Sequence, residues 1–337
     1  MKAFLLEDID QLREHLASQR TLFTPQCTGG ANELNWLPLT SETRSTATER
    51  PILPTYPAKQ FFFPEREILF QFDGTNFKET LPTPTPQILF GVRSCDLCAI
   101  AYQDQFFQQD PYYQARRKAT LLVGIDCHIP CEGGFCPTVD AGPFVRDGMA
   151  DLACHQHNGH WLLMAHTPEG EALLQGMNLE AAKPHHITQR KNQQQQVANQ
   201  FPSAAHIETG IQRINQAQVP AETWQAMGLQ CLTCSGCTNL CPTCSCFTSH
   251  DRPTSDGYER ERSWDSCLYD AFQREASGHN PSASAGQRVE RFWFHKFSNE
   301  YKKAFGRYGC TGCGRCEKTC PGVIGVHSVM KRISAAL

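Results

Sequence analysis

The sequence predicts a two-part chain: an α/β region with a mixed sheet over residues 1–206, then a helical, cysteine-rich region over residues 207–337. Three observations predict it. Short β-branched or aromatic runs bounded by Pro and Gly alternate with helix-period segments through the first 200 residues. From about Glu208 the pattern becomes helical. Of 18 cysteines, seven fall between Cys231 and Cys267 and four between Cys310 and Cys320. A chain of 337 residues is long enough to bury two cores.

In chain order, Asp8–Ser18 reads as a short helix with Ile9, Leu12 and Leu16 on one face. Residues 24–58, rich in Thr, Pro and Ser, read as a long irregular lead-in. Strands are expected at Gln60–Phe63, Ile68–Phe72 and Ile88–Val92, then a helix over Asp96–Phe107 and a buried strand over Thr120–Asp126. Residues 151–166 read as a hairpin turning at Asn158–Gly159. A helix capped by Thr167, with Pro168 at its first position, is expected next. Residues 181–206 read as a polar connector, with His185–His186 in a solvated loop. Between the cysteine clusters two helices are expected. One carries Trp264, Cys267, Leu268, Ala271 and Phe272 on an apolar face, and the other runs from Gln287 to Phe305. The last helix, 324–334, carries Val326, Val329, Met330 and Ile333 on one side.

Composition narrows the function. Net charge is −3, so there is no basic excess to neutralise phosphates, and no apolar run approaches a bilayer span. The apolar stretch before Glu7, Asp8 and Asp10 is too short for a signal peptide, which points to the cytoplasm. Disulfides are rare there, so the thiols read as metal ligands. Without a Gly-x-Gly-x-x-Gly fingerprint, bound NAD or flavin is not expected on this chain.

Cys231-x-x-Cys234-x-x-Cys237-x-x-x-Cys241-Pro242 and Cys310-x-x-Cys313-x-x-Cys316-x-x-x-Cys320-Pro321 share one spacing and a trailing proline. In that spacing three thiolates wrap one [4Fe–4S] cube and the fourth reaches another. Cys231, Cys234, Cys237 and Cys320 are the ligands expected for one cluster, and Cys310, Cys313, Cys316 and Cys241 those for the second. Structural zinc is the competing reading, but its sites use paired Cys-x-x-Cys or Cys with His. Gly236, Gly312 and Gly314 fall where the backbone must approach sulfur. Arg315 and Lys318 either offset cluster charge or are solvated. With about 68 residues between Cys241 and Cys310, the arrangement resembles the α-helical ferredoxin fold rather than the compact bacterial one.

A third iron–sulfur site is a candidate. Two expected strands run into Cys95 and Cys98, and into Cys127, Cys131 and Cys136. If those strands are parallel neighbours, both loops sit at the carboxyl edge of the sheet, where α/β folds bind ligands. Cys95, Cys127, Cys131 and Cys136 would hold the third cluster; buried incidental thiols are the alternative. Cys244, Cys246 and Cys267 remain unassigned, as pocket lining or redox thiols, with packing expected for Cys267. Cys27 and Cys154 read as incidental. Arg288, Arg291, Lys296, Lys302, Lys303 and Arg307 form either a docking face for an acidic partner or a solvated face.

Several strings resemble a known family, the beta (iron–sulfur) subunit of cytosolic [NiFe] hydrogenases or sulfhydrogenases, related to the corresponding subunit of anaerobic sulfite reductase. They are Gly91-Val-Arg-Ser-Cys-Asp-Leu-Cys-Ala-Ile100, Asp110-Pro-Tyr-Tyr113 with Arg116-Arg117, and Phe135-Cys-Pro. Further on come Cys231-Leu-Thr-Cys-Ser-Gly-Cys237, Cys241-Pro-Thr-Cys-Ser-Cys246, Trp264-Asp-Ser-Cys267, His295-Lys-Phe297 and Cys310-Thr-Gly-Cys-Gly-Arg-Cys316. The resemblance implies an electron relay through [4Fe–4S] clusters without catalysis of its own. Such a relay links a flavin-containing NAD(P)H subunit to a partner with the catalytic metal, hydrogenase first. The alternatives are the anaerobic sulfite reductase relative, or a heterodisulfide-reductase-associated carrier using thiol/disulfide chemistry. Two departures stand out: Ser94 where the family commonly has Pro, and Gly134-Phe-Cys136 where it usually has Cys-Phe-Cys.

Overall fold

The computed structural model describes residues 2–28, 33–40 and 52–336. Strand β1 (Lys2–Leu6) leads to helix α1 (Ile9–Gln19). Asp8 caps α1 by accepting the Asp10 N–H, and Ile9, Leu12 and Leu16 are buried as the periodicity requires. β2 (Thr21–Cys27) and β3 (Leu34–Pro38) pair antiparallel, which corrects the irregular lead-in expected from residue 24. Parallel pairing of β2 with its other neighbour stops at Phe23, so Pro25 leaves no ladder bond unmade on that side. Residues 29–32 and 41–51 of that expectation lie outside the described residues.

The strand expected at Gln60–Phe63 is instead a 3-10 turn, Ala58–Phe61, followed by the fully buried Phe62 and Phe63. Pro57 and Pro64 bracket this run and keep it out of a sheet. β4 (Arg66–Phe72), β5 (Phe77–Glu79) and β6 (Gln87–Arg93) follow, then α2 (Ser94–Phe106), α3 (Pro111–Lys118) and β7 (Thr120–Ile125). β8 (Leu152–His157) and β9 (His160–Ala165) form the expected hairpin. Asn158 and Gly159 both take positive φ, 47° and 80°, as its tight turn demands. α4 (Pro168–Leu173), capped by Thr167, and β10 (Glu180–Ala181) complete the first half.

Eight strands make one mixed sheet in the order β10-β1-β9-β8-β7-β6-β2-β3, with β2, β6, β7 and β8 mutually parallel. β6 and β7 are apolar along their length because both sheet faces are covered. Ile88 and Phe90 face α1, whereas Leu89 and Val92 face α2 and the aromatic turn. Strict alternation would put Val92 on the α1 side. A bulge at Gly91, with φ +91°, reverses the order and aims the end of β6 into α2.

The connector expected over 181–206 is mostly helix: α5 (Pro184–Asn199) carries His185 and His186. It is polar nearly all round, so it lacks the apolar stripe that reveals a helix. Its buried Arg190 instead grips Asp126 at the end of β7, with Nε–Oδ2 at 2.8 Å. Beyond it lie α6 (Ala205–Asn215), α7 (Ala221–Gly228) and α8 (Gly236–Asn239). β11 (Phe247–Thr254) and β12 (Gly257–Trp264) come next, replacing the first expected helix. Trp264 ends a strand, Cys267 and Leu268 are buried in a turn, and Ala271 is exposed. The helical spacing of these residues therefore had no helix behind it.

These two strands extend a second sheet, β11-β12-β4-β5, that draws on both halves of the chain. The second expected helix is two, α9 (Ala285–Phe297) and α10 (Asn299–Phe305), because Ser298 ends one and caps the other. α11 (Arg315–Thr319) and α12 (Val326–Ala335) finish the chain, with Val326, Val329, Met330 and Ile333 all buried against α6. Among the described residues no helix is long and apolar enough to cross a membrane.

Candidate iron–sulfur site

The two cysteine motifs fold alike. In the first, Thr233 and Ser235 take φ of 49° and 57°; in the second, Gly312 and Gly314 take 67° and 74°. These are the same two positions of each motif, and a short helix follows each, α8 and α11. The left-handed residues turn backbone N–H groups toward sulfur. Gly312 N–H donates to Cys310 Sγ at 3.4 Å and Ile324 N–H to Cys320 Sγ at 3.4 Å. Cys231, Cys313 and Cys316 sulfurs also accept backbone N–H bonds, from Thr233, Arg315 and Val326. Gly236 is not left-handed. A Cβ there would lie 2.9 Å from Thr319 Oγ1, so it is the close packing of α8 on α11 that needs glycine.

The motifs interleave. One cavity is lined by Cys231, Cys234 and Cys237 of the first motif together with Cys320 of the second. It measures about 450 Å³, counting the solvent at its mouth. Leu268, Phe292 and Trp293 form part of its apolar wall. Cys241 crosses the other way: its sulfur lies in the electrostatic field of Cys310, Cys313 and Cys316. Burial pushes the thiols of Cys237 and Cys310 up to about 12, so bound metal must displace their protons. Among the described residues no group of three or more His, Cys, Asp or Glu side chains is arranged to hold a single metal ion. Thiols that converge around a wide apolar cavity and accept backbone N–H bonds fit a multi-iron cluster better than a zinc ion.

Cys241 is the exception among these thiols. A hydrogen bond from the Cys244 thiol pulls it well below the usual thiol range against burial, helped by Lys296 and Thr243. Lys296, only 4% exposed, donates to Thr243 Oγ1 at 3.0 Å and Cys244 Sγ at 3.2 Å. Burial would strip its proton, but the Cys241 and Cys244 sulfurs outweigh that and hold it charged. Lys59 is the second buried ammonium, 3% exposed, donating to Thr238 O and Cys244 O under the Trp264 ring. Burial lowers its pKa to about 8. Neither lysine stood out by spacing; Lys296 appeared only within the His295-Lys-Phe297 string.

The basic stretch is not one surface. Arg288 and Lys296 are buried, Arg307 donates to Cys98 O at 3.4 Å, and Lys302 and Lys303 are exposed.

At the carboxyl edge of the sheet β6 and β7 are parallel neighbours, and the five N-terminal cysteines gather there. Cys95 and Cys98 lie in the first turn of α2, Cys127 follows β7, and Cys131 and Cys136 lie in the next loop. Cys136 feels the charges of Cys127, Cys131 and Cys98, and Cys95 those of Cys136 and Cys313. Cys98 Sγ lies 3.7 Å from Met149 Sδ. A Cβ on Gly134 would sit 2.4 Å from Cys131 Sγ, so that sulfur fills the space a residue-134 side chain would need. The departure at Gly134 and the presence of Cys131 are one structural fact. This edge abuts the second motif. Phe135 N–H donates to Gly312 O at 2.8 Å, and Arg315 forms a bidentate pair with Asp96 at 2.6 and 2.8 Å. Arg315 is therefore a buried strut; Lys318 stays exposed, 3.3 Å from Glu132.

Cys27 is exposed at the end of β2 and Cys154 is buried in β8, away from these groups.

Comparison with known proteins agrees with this geometry. Residues 230–324 match the family model of a 4Fe–4S dicluster domain. The chain is 29% identical over 288 residues to sulfhydrogenase 2 subunit beta of Pyrococcus furiosus, covering 83% of this chain and 84% of that protein. No solved structure is a significant match. The chain thus carries a 4Fe–4S dicluster domain and resembles, over most of its length, the iron–sulfur beta subunit of a sulfhydrogenase.

Proposed function

We propose that this chain is the electron-transfer subunit of a cytoplasmic multisubunit oxidoreductase. It would link a flavin-containing NAD(P)H subunit to a partner carrying the catalytic metal, of the hydrogenase type, and relay electrons between them. The observation that carries the reading is the interleaving of the motifs, with Cys320 lining the cavity of Cys231, Cys234 and Cys237. On this reading those four thiolates hold one [4Fe–4S] cluster and Cys310, Cys313, Cys316 and Cys241 hold the second, in an α-helical ferredoxin-like arrangement of residues 207–337. Each cluster supplies a one-electron carrier. The chain's own residues keep it dry, donate N–H bonds to its sulfurs and set its charge environment. Residues 1–206 would form the α/β partner domain. Cys95, Cys127, Cys131 and Cys136 would hold a third cluster beside the second, supported by their convergence at the sheet edge and by the Phe135–Gly312 bond.

Iron, acid-labile sulfide and zinc measured on anaerobically purified protein, with low-temperature EPR, test this. About eight irons per chain with a spin-coupled signal support two clusters, and about twelve support three. Zinc without iron sinks the reading.

A further inference from the structure

Two thiols outside both motifs face each other at the root of the β11–β12 hairpin. Cys246 immediately precedes β11, and its carbonyl accepts the Asp265 N–H at 3.0 Å, which brings the chain leaving β12 alongside it. The Cys246 sulfur accepts hydrogen bonds from the Cys267 thiol and from the Cys267 backbone N–H. Both residues are free thiols, Cys246 half-buried and Cys267 buried. The Cys267 thiol also lies in the field of Cys237, a cavity-lining thiol of the first motif. Cys244 is engaged elsewhere, on Cys241 and Lys296, which leaves Cys246 and Cys267 as a pair.

The surroundings make this pair reactive. The bond from Cys267, with the nearby Lys296 charge, outweighs burial and brings Cys246 down to about 7. A thiol near ambient pH is the best attacking group in thiol–disulfide exchange. The half-buried side of Cys246 gives protons a route to solvent.

We propose that Cys246 and Cys267 are a reversible dithiol–disulfide couple that exchanges electrons with the iron–sulfur site at Cys231, Cys234, Cys237 and Cys320. The proposal rests on the electron-transfer reading above. In the reducing direction the S–S bond breaks, two electrons arrive singly from the reduced cluster, which is oxidised, and two protons enter from solvent to give two thiols. In the reverse direction the S–S bond forms, two protons leave, and the cluster accepts the electrons one at a time. The couple would store a pair of electrons beside a one-electron carrier, and so let the chain serve two-electron chemistry in a partner.

The test uses the anaerobically purified full-length holoprotein, with Cys246→Ser and Cys267→Ser variants. Each sample is treated with diamide or left reduced, alkylated with N-ethylmaleimide and mapped by peptide mass, with iron and sulfide measured in parallel. Samples treated with diamide and freed of excess oxidant are then reduced stepwise with titanium(III) citrate under EPR. The expected result is a Cys246–Cys267 disulfide in oxidised wild-type protein at unchanged iron content. Full reduction of that sample should take two more electrons per chain than either variant requires, the stoichiometry of this couple. Iron-replete wild-type protein in which both thiols stay alkylatable after diamide overturns the couple alone, and this arm needs no variant to fold. A serine variant that is folded by circular dichroism but has lost about four irons also overturns it, making these cysteines ligands. Wild-type protein without iron overturns the electron-transfer reading, and the exchange with it.

Discussion

Lys296 has three neighbours that explain its place: Thr243 Oγ1, Cys244 Sγ and, through them, the Cys241 sulfur. A buried positive charge stabilises whichever state of a neighbouring cluster carries more negative charge, which is the reduced one. Lys296→Met, similar in length and apolar, is therefore expected to lower the potential of the site that Cys241 serves. The expected scale is about 60 mV, a tenfold shift for one electron, read by EPR-monitored redox titration. A potential unmoved in an iron-replete variant would mean that the charge is compensated elsewhere. Gly134 makes a second residue-scale case. An added methyl would collide with Cys131 Sγ, so Gly134→Ala is expected to strip the third site of about four irons per chain. Unchanged iron would show that Cys131 is not a ligand. The eight motif cysteines and their interleaving could be read from spacing alone, because ligand spacing is local chemistry. The lysines could not, since a buried ammonium looks like any other lysine until folding brings sulfur to it.

At the scale of elements, the bulge in β6 sets where Cys95 and Cys98 point. Gly91 holds φ +91°, a conformation that L side chains rarely adopt, and a Cβ there would also touch the Pro25 ring at 3.4 Å. Gly91→Ala is expected to destabilise the protein by about 1–3 kcal/mol, measured by chemical denaturation. A variant as stable as the parent would mean the strand can flatten without cost. Elements with a strong local signal were legible. Asp8 at a helix start, Asn158–Gly159 at a hairpin and the buried stripe of α12 all held. Trp264, Cys267 and Leu268 misled because their burial comes from a strand end and a turn stacked on other elements. α5 was missed because its decisive contact, Arg190 on Asp126, is polar and distant in sequence. Tertiary partners override periodicity in both cases.

At the scale of the molecule, the four-stranded sheet joins residues 66–79 to residues 247–264. The division into 1–206 and 207–337 marks a change in composition, yet the chain crosses that division to complete this sheet. Its seam is ionic. Arg262, with its side chain 5% exposed, donates from Nε to Glu67 Oε1 at 2.9 Å and also pairs with Asp110 at the cap of α3. Arg116 of α3 reaches Glu67 at 2.6 Å from the other side. Taking Arg262 away leaves carboxylates from the first half short of a partner in a place where water cannot replace it. Breaking a buried pair by removing one member costs about 3–5 kcal/mol; the Arg116 contact that survives on Glu67 puts Arg262→Met near the lower figure. Arg260→Met serves as the control, because its pair with Asp251 lies in solvent and is expected to contribute little. If the sheet couples the two halves, Arg262→Met should lower the thermal midpoint of the whole chain in one transition, with cluster absorbance and far-ultraviolet ellipticity lost together. Two separated transitions, with absorbance surviving the first, would show instead that the cysteine-rich half holds itself together and uses the seam only for orientation.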